Sequence, residues 1–144
     1  MIKIITIDRE YGSGAADIAA TLAAWLGWKL WDELLTIEIA RVVVGRGSAY
    51  YLQSNPDAFH LLIYAPFEKT IQRLCDMGRS EEEAHLLAET VDQDRAAYIK
   101  QYFKIEWPFR EVYQLMINSS LGDDVVVETI LNSVGIVDRS LARR

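Results

Sequence analysis

A short run rich in β-branched apolar residues, Ile2 to Ile7, leads into a polar loop with two glycines, Asp8 to Gly14, and then into a helical period from Ala15 to Leu26. A strand without strict polar alternation reads as buried on both faces, which points to the interior of a parallel sheet. Parallel strands need crossover connections, so the rest of the chain should alternate strands with helices. Ile18, Leu22, Trp25 and Leu26 share one helical face, and Gly27 stops that helix. Strands are predicted at Trp28–Trp31, Arg41–Val44, Phe59–Tyr64 and Leu115–Asn118. Helices are predicted at Glu33–Ala40, Ser48–Gln53, Phe67–Met77 and Asp123–Val134, with Leu131 and Val134 of the last facing inward. Ser80 and Glu83 form a capping box that opens a long helix running to about Phe103. The fold class is therefore α/β, a parallel sheet flanked by helices.

The chain has 144 residues, enough for one domain with its own core. Residues 1–138 read as that domain and 139–144 as a loose tail. Fifteen basic against 21 acidic side chains leave a net charge of −6, which argues against nucleic acid as a partner. A small phosphorylated ligand is compatible with that charge, because local backbone dipoles can hold it. A single cysteine, Cys75, excludes a disulfide framework and a multi-thiolate metal site. No apolar run is long enough to cross a bilayer and the N-terminus does not read as a secretory signal, so the expectation is a cytoplasmic protein with no membrane contact.

In a parallel sheet the ligand lies beyond the carboxyl ends of the strands. The loops after Ile7, Trp31, Val44 and Tyr64 should share that edge and gather Arg9, Ser13, Asp32 and Arg46 there. The first loop carries Gly12-Ser13-Gly14 just before a helix, and glycines with a helix start both favour an anion. Three readings stay open. As a dinucleotide fingerprint, Gly12-x-Gly14 is followed by Asp32 at a strand end, but Asp17 takes the third glycine position. As a phosphate loop of the nucleotide-kinase kind, the length from Asp8 to Gly14 is right, but Ala15 stands for the lysine and Asp17 for the Ser/Thr ligand. The third reading is a plain β–α turn.

Taken in order along the chain, several segments resemble the cytidylate kinase-like family. They are Ile5 to Gly14, Trp31-Asp32-Glu33-Leu34-Leu35, Val43-Val44-Gly45-Arg46-Gly47 and Phe59 to Arg73 with Tyr64-Ala65-Pro66 at its centre. Ser80 to Ala84, Asp92 to Ala96 and Ile117 to Gly122 complete the set. The resemblance implies a three-layer fold of the P-loop nucleoside-triphosphate hydrolase and nucleotide-kinase type. It implies transfer of the ATP γ-phosphoryl group to a nucleoside monophosphate such as CMP or dCMP, with ATP and Mg²⁺ as cofactors and small nucleotides as partners. By the same match Arg9, Gly12, Ser13 and Gly14 would hold phosphate, and Arg46 would hold the acceptor's phosphate. Arg73 and Arg95 would lie over the transferring group in a lid-like region of about 73–110, and Asp32 would orient the acceptor or a magnesium-bound water. No side chain is assigned as a direct metal ligand.

The chain also departs from that pattern. Only Leu34 to Ala40 stands where the family has a long acceptor-binding insertion, and Ala15-Ala16-Asp17 replaces Gly-Gly-Arg. A catalytically degenerate nucleotide-binding or interaction protein that keeps the kinase fold is therefore the alternative. Some residues have plainer readings. Asp32 suits a helix cap, Arg73 a helix C-terminus, and Arg95 an i,i+3 pair with Asp92 on a solvated face. His60 and His85 read as structural, and Cys75 as a small core residue. The aromatic stretch Tyr98, Tyr102, Phe103, Trp107 and Phe109 reads as core packing, with a homodimer contact as the other option.

Overall fold

The structure, a computed structural model, describes residues 1–31, 41–45 and 47–143. The helical stretch expected at Glu33–Ala40 lies outside the described residues, as do Asp32 and Arg46. The described strands are β1 (Ile4–Arg9), β2 (Lys29–Trp31), β3 (Arg41–Val44), β4 (Ala58–Tyr64) and β5 (Leu115–Asn118). They form one sheet in the order β2-β3-β1-β4-β5, with every pairing parallel. β1 is central, with Ile4 opposite both Arg41 of β3 and Ala58 of β4. The chain builds one half of the sheet through β3 and then crosses to the other through β4, so the carboxyl ends of β3, β1 and β4 border the topological switch point where α/β folds bind ligands.

The helices are α1 (Ala15–Leu26), α2 (Ser48–Tyr51), α3 (Phe67–Asp76), α4 (Glu81–Phe103) and α5 (Asp123–Ala142). Strand residues alternate between the two faces. Ile5 and Ile7 of β1 and Phe59, Leu61 and Ile63 of β4 join one core cluster with Ile18 and Leu22 of α1 and Val126, Ile130 and Val134 of α5. Leu62 of β4 faces the other way, against Tyr50, Ile99, Val112 and Tyr113. The aromatic stretch packs here as expected: Tyr98, Phe103, Trp107 and Phe109 lie against this second cluster, while Tyr102 stays exposed. Ile71, Leu74 and Ala84 join α3 to α4, and Tyr11 of the first loop packs against them.

Helix boundaries follow their caps. Ser80 Oγ accepts from the Glu83 N–H, the first half of the predicted capping box. Gly27 adopts φ 66° and its N–H closes the last turn of α1. Two expectations are corrected. The buried stripe of α1 runs through Ala15, Ile18, Ala19, Leu22 and Ala23, leaving Trp25 74% exposed at its edge in the last turn. The expected tail 139–144 is helical through Ala142, because Val137 packs on the core and Asp138 accepts from the Ile2 N–H at 2.5 Å.

His60 is structural, as expected. Its Nε2–H donates to the Leu52 carbonyl at 3.2 Å, so Nδ1 accepts from the Thr6 hydroxyl at 2.6 Å. That tautomer is neutral, and burial lowers the pKa from 6.5. A depressed histidine pKa contributes stability that is full above the unfolded value and is lost as pH falls toward the native one. Thermal unfolding between pH 7 and about pH 5 should therefore show a steeper loss of Tm for the wild type than for His60→Gln. Parallel profiles would exclude the neutral-histidine account.

Candidate functional site

Loop 1, the turn from β1 to α1, is tied at both sides. The Glu10 N–H donates to the Ile63 carbonyl at 3.0 Å, and Glu10 Oε1 accepts from the Ala65 N–H at 3.2 Å. Burial raises the Glu10 pKa, and the Ala65 N–H opposes that rise. Gly12 and Gly14 have φ of 72° and 83°, which side chains with a Cβ rarely adopt. A Cβ at Gly12 would meet Thr70 Cγ2 at 2.7 Å, and one at Gly14 would overlap the Arg73 guanidinium. These glycines let α3 approach the loop closely.

The loop then starts α1 with Gly14 as N-cap and no side-chain cap. The first amides of a helix have no partners within it, so they are free to face a ligand. Ser13 is 1% exposed, and its hydroxyl has no hydrogen-bond partner among the described residues. Buried polar atoms are normally paired, so this one marks a place where a ligand oxygen can complete the set. Gly12, Ser13, Gly14, Asp17, Arg73 and Asp76 border a cavity of about 340 Å³. Asp17 is exposed at the rim of α1. Arg73 lies against the loop at Gly14 and is paired with Asp123 at 3.0 Å.

Arg73 and Asp76 also border a second cavity of about 370 Å³, with Lys69, Ser119, Ser120 and Asp123 on its walls. The two spaces adjoin along α3. A third cavity, about 460 Å³, opens at the carboxyl ends of β1 and β3 between Asp8, Arg9, Tyr11, Gly45, Val91 and Arg95. Of the four residues expected to share this edge, Arg9 and Ser13 lie where β1 runs into loop 1, and Gly12, Gly14, Arg73 and Arg95, expected at the site only by family resemblance, border the same cavities. Asp32 and Arg46 lie outside the described residues.

Arg95 makes the predicted pair with Asp92 at 3.1 Å, but on a buried face rather than a solvated one. Its guanidinium also donates to the Arg9 carbonyl and lies 5.5 Å from the centre of the Trp107 ring. Asp92 in turn accepts from the Tyr11 N–H at 2.8 Å. Burial raises the Asp92 pKa, opposed by the Tyr11 amide and by Arg95.

Asp8 was not singled out in the sequence as a site residue. Its carboxylate accepts from Trp107 Nε1–H at 2.7 Å and from the Tyr113 hydroxyl. The Tyr50 hydroxyl then donates to Tyr113 Oη at 2.7 Å and accepts from the Phe109 N–H at 3.3 Å. Desolvation raises the Tyr113 pKa, and Asp8 raises it further, so the phenol stays a proton donor. The sequence signal was an acid ending a buried strand together with a late run of aromatics that carry polar tips. Asp123 gave no comparable signal, because an acid in a first helical turn is ordinary.

An all-parallel sheet with a glycine-bearing loop leaving its central strand for a helix defines the class: a P-loop kinase-type α/β fold. The sequence profile of the cytidylate kinase-like family matches residues 38–121, and the chain belongs to that family. The matched span starts after loop 1, so the loop's assignment rests on its own geometry. No curated protein matches the chain. Among solved structures, an uncharacterised protein from Eubacterium ventriosum ATCC 27560 superposes with a TM-score of 0.83 at 19% identity, covering 94% of this chain and 99% of that one. The compact length is thus shared with another protein of the same fold. Shikimate kinase from Acinetobacter baumannii in complex with shikimate gives 0.59 at 17% identity, covering 93% of each chain. A gluconokinase from Sinorhizobium meliloti 1021 gives 0.63 at 13% identity, covering 96% of this chain and 94% of that one.

Replacing Gly14 by alanine forces a Cβ into left-handed backbone and against Arg73. The backbone alone should cost about 1–2 kcal/mol, read as a lower midpoint in urea unfolding. An unchanged midpoint would mean that the loop relaxes freely.

Proposed function

We propose that the chain is a phosphotransferase that binds ATP on loop 1 and passes the γ-phosphoryl group to a nucleoside monophosphate such as CMP or dCMP. The observation that carries this reading is the buried, unpartnered Ser13 hydroxyl between two left-handed glycines at an uncapped helix start, with a guanidinium alongside. That donor set suits phosphate. Membership of the cytidylate kinase-like family supplies the reaction class.

On this reading the amides of Gly12, Gly14 and Ala15 cradle the nucleotide phosphates and Ser13 Oγ donates to one of their oxygens. Arg73 offsets charge that builds on the transferring group, in place of the absent loop lysine. The adjoining cavity of about 370 Å³ offers room for the nucleoside part, and the one beside β3 for the acceptor. Arg46 and Asp32 keep their proposed roles on the acceptor side by family resemblance. Among the described residues no three acidic, histidine or cysteine side chains gather as metal ligands. Magnesium would neutralise phosphate charge in this chemistry, carried on the nucleotide itself. No helix among the described residues is long and apolar enough to cross a membrane.

The exposed Asp17 and the missing lysine favour a second reading, a nucleotide-binding protein without turnover. A coupled assay with ATP, Mg²⁺ and a panel of nucleoside monophosphates separates the two. ADP should appear with CMP or dCMP, and Arg73→Ala should lower the rate about 10²–10³-fold. ATP binding by calorimetry without any ADP above the Arg73→Ala background would select the binding protein. No binding at all would reject both.

A further inference from the structure

Arg95 was expected either to lie over the transferring group or to pair idly with Asp92 on a solvated face; the pair forms, but on a buried face against loop 1. We infer that Asp92 and Arg95 are positioning residues for loop 1, which act on a phosphate held by that loop through its main chain. The inference deepens the phosphate-binding reading above and rests on it.

The two side chains, from adjacent turns of α4, hold the loop at two points. Asp92 Oδ1 takes the Tyr11 N–H at 2.8 Å, and Arg95 gives a hydrogen bond to the Arg9 carbonyl. The pair is itself closed at 3.1 Å, so each side chain orients the other. Arg95 is 6% exposed, and Trp107 beside it is anchored to Asp8 at the end of β1. Tyr11 is also packed against the α3–α4 contact. The result fixes residues 9 and 11, immediately before the glycine turn whose amides would face the anion. Errors in such a main-chain frame pass directly to those amides, and small misplacements of donors weaken binding strongly.

Removing Asp92 gives opposite signs for the two roles. If Arg95 gripped phosphate directly, loss of its carboxylate partner would free its charge and tighten anion binding. If the pair positions the loop, the same change loosens the cradle and weakens binding. The probe is inorganic tripolyphosphate, which reports on the cradle without requiring turnover. Its dissociation constant is measured by calorimetry well below each variant's Tm for wild type, Asp92→Asn and Asp92→Ala. Amide hydrogen exchange over residues 9–17 is followed in parallel.

Asp92→Ala should raise the dissociation constant about tenfold or more and speed exchange at Tyr11 and Gly12. Asp92→Asn keeps an oxygen for the Tyr11 N–H and should recover most of both effects. Should Asp92→Ala fail to fold, Arg95→Met removes the bond to the Arg9 carbonyl and should speed exchange at Tyr11 and Gly12 in the ligand-free protein, which loss of a direct phosphate contact would not do. Unchanged or tighter binding in these variants overturns the proposal, as does a wild type that binds no tripolyphosphate. Nucleotide turnover is judged separately. A cradle that responds as expected in a protein that forms no ADP upholds the positioning pair and rejects the kinase. ADP formation with a cradle indifferent to Asp92 does the reverse.

Discussion

The site depends on the two-sided pairing of β1. Its backbone is bonded to β3 on one side and β4 on the other, in register from Ile4 onward. Both faces of the strand are covered, by α1 and α5 on one and by the aromatic cluster and α2 on the other. The loop that leaves it therefore inherits its origin from the whole sheet rather than from local turn preference. An anion cradle made of main-chain amides needs that rigidity, since amides cannot adjust as long side chains do.

Rigidity alone would leave the face of β1 opposite α1 a problem, because Asp8, the last residue but one of the strand, is buried. An isolated buried carboxylate is costly, whereas one with several donors is tolerated. Trp107 and Tyr113 supply those donors from a segment about a hundred residues away, and Tyr50 extends the chain of hydroxyls. This arrangement does two things. It satisfies the acid, and it seats the stretch after α4 so that Trp107 lies beside Arg95. The aromatic segment is thus a support for the site as well as core.

The strands and helices were legible because their signals are local. β3, β5, α1 and the start of α4 fall where β-branched runs, apolar spacing and the Ser80 cap put them. The end of α5 was not, because what keeps residues 139–142 helical is a core contact at Val137 and a bond from Ile2, neither visible in a polar, arginine-rich ending. Around the site, glycines announced the loop, whereas Arg73 was placed there by family resemblance, its own position at a helix end having a plainer reading. The partners of these residues stayed hidden. Nothing in the order of residues tells that Asp92 faces the Tyr11 amide 81 positions away, or that Asp123 holds Arg73. Sequence patterns report which face of an element is apolar, whereas polar partners are set by how the elements pack.

The missing lysine makes the source of positive charge the central electrostatic question for loop 1. Arg73 lies against Gly14, but it is already paired with Asp123. That pair is partly open to solvent on both sides, with side-chain exposures of 30% and 41%, and such pairs contribute under about 1 kcal/mol. Asp123 also sits in the first turn of α5, where the helix dipole stabilises a carboxylate without Arg73. Releasing the guanidinium to a phosphate therefore costs little and strands no buried charge. A phosphate in the cavity would add charge-assisted bonds at short range, which are stronger than an exposed ion pair. On the phosphotransfer reading the exchange runs downhill, and Asp123 acts as a weak holder that keeps Arg73 over Gly14 until a polyphosphate arrives.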